Sequence, residues 1–172
     1  ADLRDNNWHH IMVVADRNAD VTCYIDSQVD GTPQDISARS GDLSTTAELY
    51  IGRYGGTPTN TYFNGSIDEV LIYNKSLTAS EVEELYKAGL SQHANANVSL
   101  QTRVADSYNI SDEGLVSLWS FNDDNSTTAF DETGRNNGTL VGTATKNDGN
   151  GTVGRGLWLD GNSDYVNAGN VN

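Results

Sequence analysis

The 172-residue chain has one cysteine, one methionine and two prolines. A lone thiol excludes an internal disulfide framework, so burial and hydrogen bonding must hold the fold together. Lysine occurs three times, against 17 aspartates among 24 acidic residues, and the net charge is −14. Such a surface repels nucleic acid and is no better suited to an anionic membrane, which leaves cations as natural partners. An Asp-rich, Lys-poor surface equally suits high-salt water, and composition alone does not separate that reading from calcium use. No run approaches the roughly 18 apolar residues of a membrane span. No basic-then-apolar leader is present either, and "ADLRDNNW" reads as interior sequence.

Glycine, by contrast, is plentiful at 17 residues, and 36% of the chain is hydrophobic, the composition of a turn-rich globular protein. "WHHIMVVAD" (8–16) and "VTCYID" (21–26) are β-rich runs joined by a polar turn, which predicts a hairpin. Val21, Cys23 and Ile25 alternate onto one face, where Cys23 is expected to be a small buried apolar residue. Residues 27–47 are polar and irregular. "ELYIG" and "SIDEVLIY" follow as strands, and Asp68 alternates with Val70 and Ile72 in the second. A helix comes next. Thr78 and Glu81 form a capping box, Leu77 and Val82 a hydrophobic staple, and Gly89 a C-terminal stop. Residues 90–113 lack sustained periodicity and read as a linker. Beyond it "LVSLWSF", "GTLVG", "GLWLDG" and "DYVNAG" are short strands between Gly, Asn and Asp turns. The pattern predicts an all-β, antiparallel two-sheet jelly-roll sandwich with one short helix.

The stretch "LVSLWSFNDDNSTTAFDETGRNNGTLVG…GRGLWLDGNSDYV" resembles the front of laminin-G-like domains in the concanavalin A-like lectin/glucanase superfamily. "NNWHHIMVVADRNADVTCYIDSQVDG…AELYIGRY…YFNGSIDEVLIYNKSLTASEVEELY" is similar to the back of the same domains. The order is inverted. Residues 1–89 are the C-terminal half of one domain, 90–113 the linker, and 114–172 the N-terminal part of the next. The family's middle strands are missing. Each half would leave an apolar face and strand edges bare, so completion by strands of a neighbouring chain or repeat is expected. Three arrangements stay open: a piece of a tandem array, a polymer unit, or a circular permutant folding alone.

The same resemblance implies a structural Ca2+ held by Asp68, with Asn122, Asp123 and Asp131 as contributors. The alternative is that Asp68 satisfies backbone amides at a strand end. Two D-x-N-x-D runs, Asp16/Asn18/Asp20 and Asp160/Asn162/Asp164, have Val21 and Tyr165 where a calcium loop of the helix-loop-helix type needs glycine. They read as turns. His9 and His10 point to opposite faces of a strand and read as structural. Sequons at Asn64, Asn74, Asn97, Asn109, Asn125, Asn137 and Asn150 fit either an Asn/Thr-rich turn composition or a glycosylated chain. The E-x-D-x-x-E strand that would set two carboxylates about 5 Å apart for glycoside cleavage does not occur. The expected protein is therefore a non-enzymatic extracellular or cell-surface module. Its expected partners are copies of itself or adjacent repeats. In the alternative reading it is a carbohydrate-binding module, with Tyr54 and Tyr62 available to stack on sugars.

Overall fold

The computed structural model describes residues 3–39, 41, 45–56, 61–94, 114–123, 125–149, 151–152 and 154–171. It divides into two compact units, each assembled from two separated stretches. One comprises Ala1–Leu43 and Lys75–Gly114, the other Ser44–Asn74 and Leu115–Asn172.

In the first unit, β1 (Ile11–Ala15) and β2 (Asp20–Ile25) form the expected antiparallel hairpin, with Ile11 opposite Ile25 and Val13 opposite Cys23. Two short additions, β3 (Gln28–Val29) and β4 (Gln34–Asp35), pair with β2 inside the stretch whose polar sequence predicted no strand. Cys23 is exposed, not buried. Alternation sorted the side chains onto faces correctly, but it carries no information on whether a face is covered. Ile11 and Val13 on the same face are each 59% exposed.

Helix α1 (Ala79–Ala94) belongs to this unit and begins as the capping box requires. Thr78 Oγ1 accepts the Glu81 amide at 3.2 Å, and Glu81 Oε2 accepts the Thr78 amide at 2.7 Å. Leu77, Val82 and Leu85 are buried, and the His10 and Tyr86 rings lie 5.9 Å apart. The helix does not stop at Gly89. It runs on into the first five residues assigned to the linker; one interior glycine costs only about 1 kcal/mol relative to alanine, too little to end a helix whose neighbours favour it. The rest of the expected linker, 95–113, lies outside the described residues.

The second unit is the sandwich. Its strands are β5 (Leu49–Ile51), β6 (Asn64–Ile67), β7 (Val70–Tyr73), β8 (Leu115–Trp119), β9 (Thr128–Ala129), β10 (Gly138–Val141), β11 (Thr145–Asp148), β12 (Arg155–Asp160) and β13 (Tyr165–Gly169). They form the antiparallel sheets β5-β13-β10-β9, β11-β12-β6 and β7-β8. Period-2 patterning lines up rows of apolar side chains across strands: Ile51, Val166 and Leu140 in one sheet, Ile67 and Leu157 in another. With Trp119, Phe121, Ala129, Ala144, Leu159 and Ala168 they make the core. The strand read as "SIDEVLIY" is two strands. The chain breaks at Asp68–Glu69, where Glu69 has φ +49°.

Candidate functional site

The feature of greatest functional interest is the seam between residues 44–74 and 115–172. Each strand of residues 44–74 pairs with one from 115–172: β5 with β13, β6 with β12 and β7 with β8. The registers set apolar residues opposite one another, Ile67 facing Leu157 and Val70 facing Trp119. Partner strands expected from a neighbouring copy or repeat are thus supplied, for these three, by the chain itself. The physical reason is that both edges carry matched apolar alternation, so closure within the chain buries the same surfaces that closure between chains would. Gly52 allows the sheets to approach, because at φ +89° a side chain would be strained and its Cβ would collide with Leu159.

The four carboxylate and amide residues expected at a cation site are not gathered at one point, and each already holds protein donors. Asp68 Oδ2 accepts the Thr152 amide at 2.6 Å and hydroxyl at 2.8 Å, while Oδ1 accepts the Glu69 amide at 2.9 Å. Asn122 Oδ1 accepts the Arg155 amide at 3.0 Å. Asp68 and Asn122 are therefore brought to one connection, that between β11 and β12. Asp123 Oδ1 pairs with the ammonium of Lys146, whose side chain is 2% exposed and which also donates to the Thr128 carbonyl at 2.7 Å.

Asp131 is 3% exposed and sits elsewhere, at the edge of β8. Its carboxylate accepts the amides of Leu118, Thr133, Arg135 and Asn136 and the Thr133 hydroxyl, at 2.7–3.3 Å. Burial pushes this carboxyl up, yet the hydrogen bonds from Leu118, Thr133 and Asn136 outweigh it and hold it below its ordinary value. The loop after it covers the strand edge further. Thr133 Oγ1 donates to the Val116 carbonyl at 3.1 Å, and the Trp119 indole donates to the Asn136 carbonyl at 3.0 Å. A calcium ion requires oxygens with free lone pairs converging on one point. Here the donor set is N–H and O–H groups directed at the carboxylates, with an ammonium against Asp123, and the residues as arranged do not fit that ion. Among the described residues no group of three or more His, Cys, Asp or Glu side chains is placed to hold a metal.

The other candidates are resolved by local bonding. Asp160 Oδ1 accepts the amides of Asn162, Ser163 and Asp164, and Asp16 Oδ1 accepts that of Asn18, so both D-x-N-x-D runs are turns. Asp164 is fully buried, holding the Thr143 amide at 2.5 Å and the Asp160 amide at 3.1 Å. His9 bridges two carboxylates, Asp26 at 2.8 Å and Asp5 at 3.0 Å, and these hydrogen bonds raise its pKa. Burial lowers that of His10.

Of the sequons, Asn74 and Asn137 are exposed; Asn64 is exposed but its amide donates to the Asp160 carbonyl at 3.1 Å. Asn125 is half-buried, with its Oδ1 accepting the amides of Thr127 and Thr128. Asn97, Asn109 and Asn150 lie outside the described residues. Tyr54 is 55% exposed. Tyr62 packs 6.4 Å from Tyr165, within a cluster where the Arg53 guanidinium lies over the Tyr50 and Tyr165 rings at 4.3 and 4.7 Å.

Residues 1–83 match the family model described as the concanavalin A-like lectin/glucanases superfamily, of the laminin G type. This segment is similar to laminin-G-like domains. Among curated proteins and solved structures nothing matches the chain. The match covers the hairpin, β5 to β7 and the start of the helix, the part quoted above as the back of such a domain. The laminin-G-like segment thus contributes three strands to the sandwich, and residues 115–172 contribute the other six.

Proposed function

We propose that this laminin-G-like protein is a non-enzymatic, extracellular structural and adhesion module whose units join by strand complementation. The observation that carries the reading is the seam. Three strands of one segment find register-matched partners in the other, and a head-to-tail exchange between copies would use the same pairs without any new interface. An open chain of such exchanges is a fibre. The edge position of β1 and the exposure of its Ile11 and Val13 supply a further apolar surface for association. Glycans on the exposed sequons Asn74 and Asn137 would protect the surface of such a polymer.

Sedimentation velocity across a wide concentration range, with negative-stain microscopy of the concentrated sample, tests this. Oligomers growing with concentration and filaments are expected. A compact monomer that melts cooperatively at every concentration would overturn the assembly reading. A second reading, a carbohydrate-binding module, is favoured by the exposed Trp158 on the sandwich.

A further inference from the structure

β5 is the terminal strand of the sheet β5-β13-β10-β9, and its Ile51 packs into the core opposite Val166. Alternation therefore puts Tyr50 on the outer face. On β13 it does the same for Tyr165, whose ring meets that of Tyr50 edge-on at 5.5 Å. Past Ile51 the alternation ends. Gly52 has φ +89°, and the next residue, Arg53, lays its guanidinium over both rings at 4.3 and 4.7 Å. Tyr54 follows, 55% exposed, and Tyr62 pairs with Arg53 in an antiparallel bridge. One cation is thus held among tyrosines on the outer face of the sheet.

That cation lacks an anion. The Nε of Arg53 is buried and has no hydrogen-bond partner, and among the described residues no carboxylate forms an ion pair with the guanidinium. Glu48 and Arg53 feel each other's charge, but the Glu48 carboxylate takes the Tyr50 hydroxyl at 2.5 Å and the Asn167 side chain instead. In this chain acids outnumber bases 24 to 10, and all three lysines, Lys75, Lys87 and Lys146, are ion-paired. An arginine left without an acid is therefore an exception that needs a reason. A guanidinium is a planar fork of N–H donors, and a buried donor left unpaired on a charged group is costly, so the free end of this fork is shaped to receive a planar anion. Two observations choose among anions. The net charge of −14 repels a polyanion, whereas one carboxylate in an otherwise apolar segment brings a single charge to a single cation. β5 also ends its sheet, so an extended polypeptide can lie along it and present alternate side chains to a surface of tyrosine and arginine, residues enriched in protein interfaces.

We infer that Arg53, Tyr50, Tyr54 and Tyr165 form a docking site for one Asp or Glu side chain carried by an extended, otherwise apolar segment of a partner polypeptide. The carboxylate takes two parallel N–H bonds from the guanidinium, and the residues flanking it pack on the tyrosine rings.

The test presents the full chain to pools of N-acetylated, C-amidated hexapeptides of apolar residues in which one central position is fixed as Glu, Gln or Lys. A Glu-rich pool and sulfated and sialylated oligosaccharides serve as comparators. Retention on the single-Glu pool above the Gln and Lys pools is expected, weakening as salt is raised. In isotope-labelled protein the Arg53 Nε–Hε resonance is expected to shift when the single-Glu pool is added. Arg53→Gln is expected to lower binding about tenfold or more, and Arg53→Lys nearly as far, because an ammonium cannot offer two parallel N–H bonds. Circular dichroism melting of each variant separates lost binding from lost fold, and the resonance shift in the unsubstituted protein gives the answer where a variant does not fold. Single-Glu binding that survives Arg53→Gln, or that leaves the Arg53 resonance unmoved, overturns the site. Equal retention on the Glu and Gln pools overturns the role of the carboxylate. Preference for the Glu-rich pool or the anionic oligosaccharides overturns the partner class, and silence across all probes overturns the inference. Filament formation is scored separately and bears on none of these outcomes.

Discussion

The Asp68 carboxylate holds both the amide and the hydroxyl of Thr152, a residue 84 positions away, at 2.6 and 2.8 Å. One side chain in the break between β6 and β7 thereby fixes the connection between β11 and β12, and so ties together two segments far apart along the chain. Asp68→Ala is expected to lower stability by about 2–3 kcal/mol, because an ionised acceptor is lost and the Thr152 amide is left unpaired. Thr152→Val removes the hydroxyl alone and is expected to cost about 1 kcal/mol. Denaturant melts of the two single variants and the double variant check this. The double variant is expected to be less destabilised than the sum by at least 0.5 kcal/mol, and strict additivity would show that the two side chains do not interact.

Asp131 provides the test against a structural calcium. With five donors on a buried carboxylate, Asp131→Asn turns an NH2 group toward at least one N–H and is expected to cost about 2–4 kcal/mol. Chelator is expected to leave the melting temperature of the unsubstituted protein unchanged. A melting temperature that rises with added calcium and falls with chelator would show that an ion displaces some of these donors.

Gly89 lies within α1, and a Cβ there meets nothing within 4 Å. Gly89→Ala is expected to stabilise the protein by about 0.5–1 kcal/mol, through the entropy that glycine loses on joining a helix. Thermal melting measures it, and a destabilisation would place the residue outside a helix.

Two groups give the first unit opposite pH responses. Lys75, then the Thr78 amide and hydroxyl, hold the Glu81 carboxyl at about 2 against an ordinary 4.5. A depressed acid contributes stability that is present above the unfolded value and lost as pH falls, so the capping box is expected to weaken between about pH 4.5 and 2. His9 is raised above 6.5 by Asp26 and Asp5. Its contribution is full below pH 6.5 and fades as pH climbs through the higher folded value. Amide exchange at Asn7 and His10 is expected to quicken above neutrality in the unsubstituted protein but not in His9→Gln. Equal rates in both proteins would remove the histidine from this role.

Several elements were legible because their cause is local. The hairpin came from alternation on either side of a polar turn, and the capping box from two residues three apart. The turns at Asp16 and Asp160 came from side chains that bond the backbone two or three residues on. Thr145 and Asn147, by contrast, lie in a strand that the sequence reading did not contain. Strand β11 that carries them is polar throughout and carries no period-2 signal of its own.

By itself, then, the order of residues determined the all-β class, the laminin-G-like character of the first segment and which side chains share a face, since these depend on spacing along a single strand or helix. Tertiary structure alone decided that the two segments pair with each other, that the Asp68 and Asp131 carboxylates accept backbone amides, and that Cys23 stands in solvent. Those outcomes depend on what lies across from a residue, and in an antiparallel sandwich the residue across the strand is often nearly a hundred positions away.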